Sequence, residues 1–313
     1  FRYLQFMHNQ QYSFRTSISA YSKARNLIEV HGDISQQVSI NIDIAGPLIN
    51  LQYFDEAIEC LDRAKHLLQN SPSAILTARL LCREAYLDLH LKKDTSASQY
   101  FLESERILLE QRSSTFVNTY FLNLVQSGLG RIAEAGSEWD KALMYYLQIV
   151  ERLLEDDIHS RLCWHYLNIG RCYAALDKCD QARDYFYRAI NEEVDSSPKA
   201  RASAYANLGF LENDECKFEA AIVLYEHAEQ IFRSQESPEY FNVSNTLRWK
   251  AKAKIELGKG EEGLQLLMDS HAAAKSAGSF QLKAEIYKDL ASYFAEQADF
   301  KNAYEYQLLH EQS

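Results

Sequence analysis

YLNIGRCYAALDKCDQARDYFYRAI (residues 166–190) and YANLGFLENDECKFEAAIVLYEHAEQI (residues 205–231) are two versions of one pattern. In the first, Tyr166, Ile169, Gly170 and Tyr173 recur at helical spacing and share a face, and after a break Ala182, Phe186 and Ala189 do the same. Each stretch reads as helix, turn, helix. The frame extends in both directions with looser residues. Its small-residue position in the first helix falls at Gln5, Ala45, Ala85, Gly130, Gly170, Gly209, Ala251 and Ala291, with steps of 40, 40, 45, 40, 39, 42 and 40. The start of each second helix is marked by Ser17, Ala57, Ala97, Ala142, Ala182, Ala221, Gly263 and Ala303. A small residue at every one of these places predicts that two helices cross closely there.

At these residues the chain resembles the tetratricopeptide repeat, whose signature runs W-x2-L-G-x2-Y, then A-x3-F, then A and P over about 34 residues. Repeats five and six match well, repeat four through Leu129, Gly130, Trp139, Ala142 and Tyr146, and repeats one, three and seven through periodicity. The resemblance implies an all-α solenoid of about eight helix hairpins, wound as one continuous right-handed superhelix over 1–313. The repeats run approximately 1–33, 34–73, 74–118, 119–158, 159–197, 198–238, 239–279 and 280–313. A step near 40 places about six extra residues in the second helix or in the turn between repeats. Pro72, Pro198, Pro238, Gly32 and Gly278 mark the longer turns. The surplus of the 45-residue step falls near Gln111, Arg112, Ser113, Ser114 and Thr115, the expected hinge. Pro47 lies inside the first helix of repeat two, so that helix is expected to start late or bend.

Composition narrows the function. Thirty-three basic against 44 acidic side chains give a net charge of −11, which repels a phosphate backbone and disfavours bulk nucleic-acid binding. No run of 18 apolar residues or basic leader is present, so the segment reads as soluble, without membrane contact, and cytoplasmic. Because it begins with Phe1 rather than Met, it is expected to be an excerpt of a longer chain, and DLASYFAEQADFKNAYEYQLLHEQS resembles a last repeat that runs on into an output domain after Ser313. No HExxH, GxSxG, P-loop, GxGxxG or paired CxxC occurs, so neither catalytic residues, metal nor cofactor are predicted. The six cysteines, at 60, 82, 163, 172, 179 and 216, fit no zinc or disulfide spacing and read as mostly buried thiols in a reducing compartment. His159, His165 and His271 have no ligand partner at i+3 or i+4 and read as surface or capping groups. Tyr21, Phe101, Tyr146, Phe186 and Tyr225 share one frame position, Tyr166, Tyr205 and Tyr287 another, and all are expected in the core.

The resemblance also implies a concave wall lined by the first helices. With the small residue called position 8, family members turn positions 2, 5, 9 and 12 toward the groove. Those positions hold Arg2, Arg79, Arg131, Arg171, Arg248, Lys252 and Lys288 against Glu134 and Glu285, the reverse of the chain's overall sign. Tyr86, Trp164 and Phe210 are candidate apolar anchors, and Asn213 and Asn245 candidate holders of a peptide backbone. Arginine grips carboxylates through paired hydrogen bonds, so the expected partner is an acidic or carboxylate-bearing peptide or protein segment. The regular Lys and Asn set of chaperone-binding members is missing. The expected role is a non-catalytic binding scaffold, the sensory or regulatory region of a bacterial signalling protein. A free-standing adaptor is the alternative, ahead of an RNA-binding solenoid or an enzyme built on the solenoid.

Overall fold

Local signals set where the helices begin. Asp33, just before an apolar run, accepts a hydrogen bond from the Gln36 amide while the Gln36 side chain accepts one from the Asp33 amide, a reciprocal cap on the helix that follows. Ser73, Thr115, Ser197 and Ser279 cap the first helices of four later repeats through their hydroxyl oxygens. Pro198 occupies the first turn behind Ser197, where its missing N–H costs nothing, so it starts a helix rather than extending a turn.

The computed structural model describes residues 14–111, 115–159, 161–194, 197–235 and 239–313. They form α1 (Phe14–His31), α2 (Ile34–Asn50), α3 (Phe54–Asn70), α4 (Ala74–His90), α5 (Asp94–Glu110), α6 (Phe116–Ala135), α7 (Trp139–Glu155), α8 (Leu162–Ala175), α9 (Cys179–Asn191), α10 (Pro198–Asp214), α11 (Phe218–Arg233), α12 (Tyr240–Glu256), α13 (Gly260–Ser276), α14 (Phe280–Glu296) and α15 (Phe300–Glu311). Among the described residues no strand occurs and no helix is long and apolar enough to cross a membrane. The fold is an all-α solenoid of helix hairpins. The chain divides into two compact units, Phe1–Glu151 and Arg152–Ser313, with the boundary in the last turn of α7. Within each unit, first helices adjoin: α2, α4 and α6 in one, α8, α10, α12 and α14 in the other.

The packing follows from the small residues. Tyr146 stands on Gly130, Phe186 on Gly170 and Tyr225 on Gly209, so closely that a methyl group on Gly170 would come within 2.5 Å of the Phe186 ring. Phe101, Tyr146, Phe186 and Tyr225 are at most 1% exposed, and Leu61 and Leu267 take the same place beside Ala45 and Ala251. Burying each such ring removes about 150–250 Å² of surface from water. In the last hairpin Gln307 stands where the others carry an apolar side chain, and it is exposed.

Seven hairpin turns share one geometry. Gln52, Lys92, Ser137, Asp177, Cys216, Gly258 and Ala298 have φ from 56° to 74°, and the next residue's amide donates back to a first-helix carbonyl, as in Tyr53 to Leu48 and Lys178 to Tyr173, both at 2.9 Å. Only one of the seven is glycine. The extra length of the step lies in both helices, not in the second helix or the turns alone: α2 and α3 each have 17 residues. Part of the 45-residue step goes into α6, which has 20 residues. Residues 112–114 of the expected hinge, like Arg2, Gln5 and Pro238, lie outside the described residues.

Helix α2 does not start late. Pro47 sits in its final turn, where the one backbone bond it removes is that to the Asp43 carbonyl. Lys92, held at φ 58° with an exposed side chain, is the simplest site to test the turn: Lys92→Gly is expected to raise stability by about 0.5–1 kcal/mol in urea unfolding, because the left-handed region costs a residue with a Cβ and not glycine.

Candidate functional site

In the second unit the first-helix face combines an aromatic step with a ladder of charges. Phe210 of α10 is 42% exposed and meets Trp249 of α12 edge-on at 5.9 Å, and Trp249 lies 6.2 Å from the buried ring of Tyr225. Trp164 on α8, Asn213 on α10 and Asn245 on α12 are half-buried, and the Asn213 Oδ1 accepts no hydrogen bond. Arg171 is exposed on α8. Arg248 and Lys252, one turn apart on α12, face Glu285 and Asp289, one turn apart on α14. Arg248 bonds Glu285 through Nη1, and Asp289 receives Lys252 Nζ at 2.8 Å. The Arg248 Nε lies 2.7 Å from Asp289 Oδ2 but off the N–H direction, a charge contact rather than a hydrogen bond. Two cations and two carboxylates therefore balance. Lys288 is exposed at an open groove of 380 Å³ bordered by Ala291, Ala295, Ala303 and Tyr304.

The first unit treats its candidates differently. Arg79 is 5% exposed; it donates to Ser39 Oγ and to Asp43 Oδ1, both at 2.8 Å, and lies 4.8 Å over the Phe121 ring. Tyr86 is half-buried, donates to the Leu124 carbonyl at 2.8 Å and packs edge-on against Phe101. Arg131 is exposed on α6. Counting positions 2, 5, 9 and 12 thus places Arg79, Arg248 and Lys252 among carboxylates, with Arg131, Arg171 and Lys288 facing solvent.

Position 6 was outside that count, yet it supplies Asp43, Arg83, Trp249 and Asp289. It lies four residues after position 2 and three before position 9, on the same helical face. The pairs Arg79 with Arg83, Asn245 with Trp249 and Glu285 with Asp289, each four apart, carry the signal that would have found it.

Burial sets the remaining titratable groups. Cys60, Cys82, Cys163 and Cys172 are buried, and burial pushes the Cys82 thiol up to about 12, which keeps it protonated and unreactive. His165 is not a surface group as expected: it is buried in α8, and burial, with the Arg161 and Arg152 charges, lowers its pKa to about 3. His271 shares a hydrogen bond with Tyr287 at 3.1 Å, and His159 lies 3.4 Å from Asp157. Among the described residues no group of three His, Cys, Asp or Glu side chains is placed to hold a metal ion.

With that geometry in hand, comparisons with known proteins place the chain. A model of the tetratricopeptide repeat matches residues 121–191. That segment matches the tetratricopeptide repeat, and the fold of the chain is of the same kind. A search of curated proteins finds no match. Among solved structures, apo RapI superposes with a TM-score of 0.68 at 17% identity, covering 88% of this chain and 97% of RapI. The apo quorum sensor NprR from B. thuringiensis gives 0.67 at 16%, covering 95% and 93%. NprR solved with its cognate peptide NprX gives 0.63 at 16%, covering 95% and 84%. At these identities the likeness is one of fold.

His165 gives a pH signature. It stays neutral when folded while the unfolded chain takes up a proton below about pH 6.5, so its contribution to stability is present above that pH and falls away as the solution is acidified toward 3. From pH 7 to 5 the wild type is expected to lose about 2 kcal/mol through this residue, and His165→Leu to flatten that part of the urea-unfolding profile.

Proposed function

We propose that this chain is a non-catalytic peptide- or protein-binding scaffold, serving as the sensory or regulatory region of a bacterial signalling protein and holding an acidic or carboxylate-bearing segment against its first-helix face. The observation that carries this reading is the exposed Phe210 edge against Trp249, with Asn213 and Asn245 on the same two adjoining helices. An aromatic step supplies apolar area at low entropic cost, and amides pair with an extended backbone. The structural likeness to NprR, which has been solved with a peptide, supports the same class of ligand. No sequence motif for a reacting group competes with it.

The charge ladder refines how an acidic segment enters. Arg248 and Lys252 already hold Asp289, so an incoming carboxylate replaces that contact instead of meeting open cations. Binding is therefore an exchange of carboxylates with modest net electrostatic gain, and the aromatic step provides most of the affinity.

Fluorescence anisotropy with a labelled acidic peptide series tests both parts. Phe210→Ala is expected to weaken binding at least tenfold with the melting temperature unchanged. Asp289→Asn, which frees Lys252 and leaves Arg248 on Glu285 alone, is expected to tighten it several-fold. Affinity indifferent to both substitutions contradicts the reading.

A further inference from the structure

The first unit buries a second arginine that the peptide reading leaves unused. Arg83 is 7% exposed, one turn after Arg79 on α4, and its guanidinium lies flat against the backbone of Gly46, where a methyl group would stand 2.8 Å from Cζ. Both guanidinium groups rest over the ring of Phe121, at 4.8 and 5.0 Å. Arg83 hydrogen-bonds the Tyr120 hydroxyl, but its buried Nε donates to nothing, and among the described residues no carboxylate lies within ion-pairing distance of it. The nearby Asp43 is taken by Arg79. Three consecutive first helices, α2, α4 and α6, thus close around two cations and one carboxylate.

A buried guanidinium without a counter-ion is costly, and folded proteins pair such charges or bind something to them. Local sequence bears the same mark. Gly46 is a poor residue inside a helix, yet a side chain at 46 would displace Arg83. Asp43, 18% exposed at its side chain, leaves an edge of the cluster open to solvent.

We propose that Arg79 and Arg83, floored by Gly46 and Phe121, form a binding site for the oxyanion of a ligand, a carboxylate or a phosphate group. It deepens the scaffold reading by naming a subsite for an anionic group and rests on that reading for its role. Arg83 supplies the unpaired charge, and Arg79, fixed by Ser39 and Asp43, keeps the one nearby carboxylate from pairing with it. The aromatic floor and the glycine hold the guanidinium planes still, so the site meets an anion already arranged.

The test uses the whole chain. Melting is followed in inorganic phosphate, in acetate and in chloride at matched ionic strength, for wild type, Arg83→Gln, Gly46→Ala and, as a surface control, Arg106→Gln. Phosphate or acetate is expected to raise the wild-type Tm by about 2 °C or more over chloride, with the shift kept in Arg106→Gln and lost in Arg83→Gln and Gly46→Ala. Whichever anion acts identifies the source. If Arg83→Gln does not fold, Gly46→Ala, which keeps the charge and moves it, decides alone. No shift with either anion, or a shift that survives both substitutions, overturns the site. Acidic peptides that still bind Arg83→Gln as they bind wild type overturn the subsite and leave the scaffold standing; loss of peptide binding in Phe210→Ala with the anion shift intact speaks only to the scaffold.

Discussion

From the α2–α3 hairpin to the α12–α13 hairpin, an aromatic or aliphatic side chain of the second helix stands at a first-helix position with little or no side chain of its own, and the rest of the structure is built around that contact. Gly130, Gly170 and Gly209 let Tyr146, Phe186 and Tyr225 approach until the helices touch backbone to ring. A single hairpin cannot bury both faces of such a pair, so each first helix is covered in turn by its neighbours, and stability is shared between adjacent hairpins. The glycines cost helix propensity, about 1 kcal/mol each relative to alanine. The buried ring surface offsets it.

Because the array steps by about forty residues, its helices are longer than the common repeat needs for this contact. The extra turns carry surface positions beyond the packing row. Positions 2, 5, 6 and 9 line up on the first helix, and the chain fills them with charges and aromatic rings that meet the same rows on the next helix: Arg79 with Asp43, Arg248 and Lys252 with Asp289, Phe210 with Trp249. A chain of net charge −11 thus keeps local carboxylates against several of its first-helix cations, and an acidic ligand must compete with them.

The hairpin frame was legible in the sequence because packing at a close crossing demands small residues at fixed places, and Ala45, Ala85, Gly170 and Ala251 declare them. The turns were not: six of seven left-handed residues have side chains, so nothing at Gln52 or Asp177 announces the conformation that backbone bonds across the turn enforce. Burial of His165 and Arg83 was hidden for another reason. Both sit on first helices where polar side chains are ordinary, and only the neighbouring helices decide whether water reaches them. The charge balance at Asp289 depended on a pairing between repeats that position numbers alone do not express.

The central claim is that ring and slot are one unit, and a double-mutant cycle at Gly170 and Phe186 measures it most directly. In urea unfolding Gly170→Leu alone is expected to destabilise severely, since its Cβ meets the ring at 2.5 Å, and Phe186→Ala alone by about 3–5 kcal/mol. Together they are expected to recover a large part of the loss, with the leucine filling the space the ring vacates. Strictly additive losses would contradict the account.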